Sequence, residues 1–259
     1  MWELKELTFI LSYSEYSELM QEKSLWAENL DNIELSKRYP KRRVSFSQVV
    51  IPGTIPDVRV EFFEEKDKDY KNPVVTLGID VKSVRFMVRP LGVDITNYDS
   101  YVQQYLSLFL DFWQAFNGVA QVNIIERIGL VLIFVESSNV YKKIKRIFLR
   151  KEPHYISQDK DAVELRFSEF VQPYIIDKLK IFKNTLIAPN VFLIPKYAIS
   201  AKNKEANRAE VQAIFDIACL PSSRGIIDSV DHVEEAFKAF IWLANSRISW
   251  FREVMELNE

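Results

Sequence analysis

Between Asn97 and Val135 two unlike hydrophobic patterns stand back to back, and they constrain the fold more than any other stretch of the chain. From Tyr98 to Phe116 the apolar residues Tyr98, Tyr101, Val102, Tyr105, Leu106, Leu108, Phe109, Phe112, Trp113 and Phe116 recur three and four apart, the spacing of one helix face. Asn97 is the expected N-cap, because an Asx side chain accepts from the first free backbone N–H groups, and Asn117-Gly118 is the expected stop, because glycine accepts a left-handed conformation. From Ile124 to Val135 the chain is β-branched and apolar, broken only by Glu126-Arg127 and Gly129, as in a central strand buried on both faces. A long aromatic helix feeding a buried strand is a core.

The flanking segments supply the rest of a sheet. Leu7, Phe9, Leu11 and Tyr13 alternate with Thr8, Ile10 and Ser12, the period of a strand with one apolar face. A helix is expected from Ser17 to Leu35, closed by Pro40, and Val44, Phe46 and Val49 resume an extended reading up to Pro52-Gly53. Val58 to Phe63, Pro73 to Ile79 and Val84 to Val88 read as an antiparallel meander, with Glu64 to Asp69 as a charged hairpin tip and Asp80 to Ser83 as a turn; Pro90 and Gly92 mark the passage into the long helix. In the second half Val140 to Phe148 is basic and helical in period, Val163, Leu165 and Phe167 alternate, and Leu179 to Ile187, Asn190 to Ala198 and Val211 to Ala218 read as strands. A last helix begins near Asp228 or Ser229, with Asp231, Glu234 and Glu235 in its first turns, where they suit the helix dipole, and runs past Phe251. The expected fold class is therefore α+β, mainly antiparallel sheet with long helices packed on it, in two loosely similar halves, 1–138 and 139–259, that could also form one continuous domain.

The formal charge of −2 over 259 residues gives no global attraction to nucleic acid or an anionic membrane, so such contacts would need a local patch. The single Cys219 excludes an internal disulfide, the first residues have no basic and apolar leader pattern, and no apolar run reaches a membrane span, so a cytoplasmic chain with no membrane contact is expected.

Tyr39-Pro40, Arg127-Ile128-Gly129-Leu130, Asp216 and the helix through Phe251 resemble, in type and order, a sporadically distributed, uncharacterised family of prokaryotic proteins of similar length. Where that family continues Arg-Tyr-Ile-Asn after Arg-Ile-Gly-Leu, this chain has Val131-Leu132-Ile133-Phe134, which removes the polar residues most suggestive of a family site. The resemblance implies a mobile or defence-associated context and supplies no chemistry.

Catalytic raw material is sparse. His154 and His232 are the only histidines, and Asp228, Asp231 and His232 form at best a partial metal constellation on a helix start, where acidic residues also serve the dipole. Cys219 reads as a structural thiol. The isolated glycines exclude the dinucleotide and P-loop fingerprints, and no serine elbow occurs. Glu126-Arg127, inside the strongest strand, must be paired or placed at its wet end. Two basic clusters remain, Lys37, Arg38, Lys41, Arg42 and Arg43, and Lys142, Lys143, Lys145, Arg146, Arg150 and Lys151. Either can neutralise phosphates, and either can simply solvate a helix or strand face.

The expectation is a non-enzymatic binding or scaffolding protein of a prokaryotic multi-component, defence-associated system, without cofactor or metal, meeting a protein partner from a neighbouring gene or a second copy of itself. The alternatives are a nucleic-acid-binding protein using Lys41, Arg42, Arg43, Lys142, Lys143, Lys145 and Arg146, and a metal-dependent enzyme.

Overall fold

The computed structural model describes residues 2–15, 41–46, 58–63, 74–80, 82–122, 124–136, 162–168, 191–204, 208–221 and 230–256. The expected helices at Ser17–Leu35 and 140–148, the strand at 179–187 and the tip at 64–69 lie outside them. Within them are β1 (Glu3–Glu15), β2 (Lys41–Phe46), β3 (Val58–Phe63), β4 (Val74–Ile79), β5 (Ser83–Arg89), α1 (Tyr98–Ala120), β6 (Ile124–Glu136), β7 (Ala162–Ser168), β8 (Val191–Lys204), β9 (Arg208–Pro221) and α2 (Val230–Glu256). The strands form one sheet in the order β2-β3-β4-β5-β1-β6-β9-β8-β7, and every neighbouring pair is antiparallel. The α+β class with a mainly antiparallel sheet is what the alternating patterns required.

β1 and β6 lie side by side near the middle of the sheet, with β5 outside β1 and β9 outside β6. Leu7, Phe9, Leu11 and Tyr13 of β1 are buried, as are Val84, Phe86 and Val88 of β5 and Ile128, Leu130, Leu132 and Phe134 of β6. Period-two alternation puts all of these on one face. A bulge between Leu4 and Glu6 adds a residue to β1, so that Leu4 and Leu7 both reach this core.

Helices α1 and α2 pack on each other, α1 also against β1, and α2 against β6 and β9. The contact is aromatic. Phe9 stacks on Phe109 of α1 with ring centroids 5.4 Å apart, and Phe237 of α2 meets both edge-on, at 5.2 Å and 5.5 Å. Those geometries follow from the ring quadrupole, which favours offset stacks and T-shaped pairs. Further along, Tyr98 of α1 sits edge-on to Phe134, its hydroxyl donates to Asn245 of α2, and the Asn245 amide donates to Asp99 at 3.0 Å. Burial, with the Asp99 charge second, raises the Tyr98 phenol well above its ordinary range, so the group stays a neutral donor.

The ends of α1 differ from expectation. Asn97 makes no side-chain cap bond. Asn97 holds the N-cap position, and Asp94 closes the turn that leads into it, its Oδ1 accepting from the backbone N–H of Thr96 at 2.7 Å, the N–H of Asn97 at 3.1 Å and the Thr96 hydroxyl. At the other end the helix runs through Gly118 to Ala120, and Gln121 takes the left-handed conformation at φ 49°. Asn117 makes this possible: its backbone oxygen accepts from Gln121 N–H at 2.8 Å and its side-chain oxygen from Val122 N–H at 2.8 Å. Asn117 acceptors thus replace glycine as the terminator. The turn between β4 and β5 is built as expected, with Asp80 accepting from Lys82 N–H at 2.9 Å and the Ser83 hydroxyl at 2.7 Å, while the Tyr13 hydroxyl donates to Asp80 O at 2.7 Å.

Phe109 joins the sheet to both helices, so Phe109→Ala is expected to cost about 3–5 kcal/mol of unfolding free energy in denaturant titration, and Phe109→Leu much less. For Asp94, the Thr96 hydroxyl, the Thr96 N–H and the Asn97 N–H hold the carboxyl below its usual range. The ionised group then stabilises the fold above the unfolded carboxylate range and loses that effect as pH falls through its lowered folded value. Asp94→Ala is expected to lower Tm at neutral pH, with the gap to wild type narrowing on acidification; a gap that ignores pH would contradict the role of the ionised carboxylate in this turn.

Candidate functional site

The same alternation that sends Phe9 and Leu130 to the helices sends Glu6, Thr8 and Ile10 of β1, Arg85, Met87 and Arg89 of β5, and Arg127, Gly129 and Val131 of β6 to the opposite face. Across this face one row of paired residues runs Gly78–Arg85–Ile10–Gly129–Ala218 over five strands. Three of its members carry no more than a methyl, so the row is a depression. At its β4–β5–β1 end is a cavity of about 200 Å³ lined by Glu6, Thr8, Ile10, Thr76, Gly78, Arg85, Met87 and Val131. That is room for several waters, or for a small polar group with a short apolar tail.

The charges around it are unequally matched. Glu6 lies 3.7 Å from the Arg89 guanidinium and accepts from the Thr8 hydroxyl at 3.3 Å. Arg85 is exposed, and among the described residues no carboxylate pairs with it. The cavity therefore presents a guanidinium free for an incoming acceptor, two threonine hydroxyls, and apolar walls from Ile10, Met87 and Val131. The lining thus combines a carboxylate, two hydroxyls, a guanidinium and apolar side chains within one depression.

Along the same row lies a second feature. Arg127 reaches along β6, over Gly129, to within 3.6 Å of Asp216 on β9. A Cβ built at Gly129 would meet Arg127 Nε at 3.7 Å and Ile10 Cβ at 3.7 Å, so the missing side chain is the track the guanidinium follows. The pair is held at charge–charge distance without a hydrogen bond from Arg127 Nε or to Asp216 Oδ1, although both atoms are buried. The sequence requirement that Arg127 be paired is met by this contact, while Glu126 is exposed.

The basic clusters divide between described and undescribed residues. Lys41, Arg42 and Arg43 open β2, at one end of the described sheet, in register with Phe63, Phe62 and Glu61. Lys142, Lys143, Lys145 and Arg146 lie outside the described residues, as do Lys37, Arg38, His154 and Asp228. Asp231 and His232 are in the first turn of α2, and Cys219 pairs in register with Ile128 and Leu193. Among the described residues no group of three or more His, Cys, Asp or Glu is placed to hold a metal, and no helix is long and apolar enough to cross a membrane.

Glu6, Thr8 and Arg85 were not singled out by any motif. The signal for them was indirect: a polar residue on alternate positions of two strands, and a glycine inside each of β4 and β6, which marks a close approach. No protein-family model, curated protein or solved structure matches the chain. Arg127, Gly129 and Asp216 meet at one place on this face.

Gly129→Ala is expected to be tolerated within about 1 kcal/mol, because its methyl meets neighbours only at ordinary contact distance, whereas Gly129→Leu fills the track of Arg127 and costs about 1–3 kcal/mol. Equal destabilisation by both variants in urea titration would show that the glycine serves the backbone instead.

Proposed function

We propose that the chain is a non-enzymatic binding protein that captures a carboxylate-bearing segment of a protein partner on the sheet face opposite α1 and α2. The observation that carries this reading is the cavity beside an Arg85 without a carboxylate partner among the described residues, next to a Glu6 already neutralised by Arg89. A guanidinium offers a planar fork of donors that matches a carboxylate, while the Thr8 and Thr76 hydroxyls and the apolar walls orient the rest of the bound segment. The setting in a prokaryotic multi-component system rests on the family resemblance alone.

Two related halves belong to the same proposal, with the repeat of the second taken to begin at β6. Sheet order supports this: the first strand of each half, β1 or β6, pairs with the last strand before a helix, β5 or β9. β1 and β6 are both 13 residues long. Laid end to end, Glu6 falls on Arg127, and Ile10, the partner of Arg85, falls on Val131, the partner of Asp216. Each half then has one acid and one base at matching positions with the charges exchanged. In the second half the long arginine is on β6 and spans the strand over Gly129 to its acid. In the first half Thr8 stands where Gly129 stands, the shorter Glu6 turns to Arg89, and Arg85 is left open for a ligand.

The test is a thermal-shift and NMR screen of small carboxylates and acidic peptides. At a concentration of about 100 Kd a binder adds about 2.7 kcal/mol to stability, which is readable as a Tm increase. A carboxylate that raises Tm in wild type but not in Arg85→Gln, with Arg85→Lys intermediate, is expected. Absence of any binder, or binding unaffected by Arg85→Gln, would overturn the reading.

A further inference from the structure

Helix α2 buries Phe237, Phe240, Ile241, Ala244, Ile248 and Phe251 towards the sheet and α1, yet leaves Trp242 and Trp250 43% and 45% exposed. Both flank Ser246, which is also exposed, at four residues on either side. Lys238 and Glu253 are exposed one further turn out in each direction. At 100° per residue all five fall on one stripe about a third of the helix circumference wide, and at 1.5 Å per residue Lys238 and Glu253 lie about 12 Å and about 10 Å from Ser246.

This order, cation, tryptophan, small residue, tryptophan, anion, is complementary to itself when reversed. We propose that α2 pairs antiparallel with α2 of a second copy about a two-fold axis at Ser246. Small side chains at Ser246 and Ser249 let the helices approach closely. Trp242 of each copy then lies at the height of Trp250 of the other, on the opposite side of the seam, and Lys238 meets Glu253 of the other copy. Lys238 already contacts Glu234 of its own helix at 2.5 Å, so the contact across the seam extends an existing charge pair, not a bare one. Isologous pairing is what a two-fold dimer requires, and a stripe whose charges reverse about its centre satisfies it without a second surface. One helix pair is a small interface, so association in the micromolar range is expected. The stripe is on the helix face of the sheet, so the dimer is independent of the Arg85 cavity, which stays open on the other side.

Sedimentation velocity over roughly 1–200 µM, a span that brackets micromolar affinity, is expected to show a monomer–dimer equilibrium. Trp242→Ser with Trp250→Ser removes the dimer while far-UV circular dichroism and the urea midpoint stay near wild type. Lys238→Glu weakens association at least tenfold, and adding Glu253→Lys restores it, an outcome that only reciprocal contact predicts. A monomer at every concentration, a dimer that survives the double tryptophan change, or a charge exchange that fails to restore association would each overturn the proposal.

Discussion

Three phenylalanine rings hold the molecule's layers together. Phe9 on the central strand, Phe109 on α1 and Phe237 on α2 meet within 5.2–5.5 Å, so the sheet and both helices share one contact. Everything else on that face adjusts to it. The bulge in β1 keeps Leu4 in step with the core, Trp2 closes its end against Phe251, Asp94 closes the turn that leads into α1, and Asn117 sets where α1 stops. Rings reward an offset or edge-on approach, which gives this junction a preferred geometry that aliphatic burial alone would not impose.

Because the helices occupy one face of the central strands, the other face is where charge can be carried. There the strands bear arginines and acids at positions that a sheet buried on both sides would not tolerate. The glycines matter as much as the charges. Gly129 lets Arg127 lie flat along its own strand, and Gly78 opens the floor beside Arg85. A depression that holds the Glu6–Arg89 and Arg127–Asp216 pairs and, among the described residues, an Arg85 without a carboxylate partner is the chemical basis of the binding role proposed for this surface, and the tryptophan stripe on α2 offers a separate contact proposed for a second copy.

The pattern from Tyr98 to Val135 was legible because helical and strand periodicities leave different marks, and both elements stand where those marks are. From Arg127 to Glu136 no residue of β6 is exposed, as expected of a central strand, with Arg127 and Gly129 alternating with its core residues on the outer face. The ends of α1 were less legible. Asn97 takes the N-cap position that local preference favours but without a side-chain bond, and the acceptors of Asn117, a turn back, carry the helix past Gly118 to Gln121.

By itself the sequence determined the alternation that makes β1 and β6 two-faced strands, the aromatic face of α1 and the closing helix, because each of these is a short-range period in hydrophobicity. Only the tertiary structure decided that Arg85 lies opposite Ile10 and that Arg127 reaches Asp216 over Gly129. Those are consequences of strand register across residues far apart in the chain, and register is set by which faces bury together, not by any local run of residues.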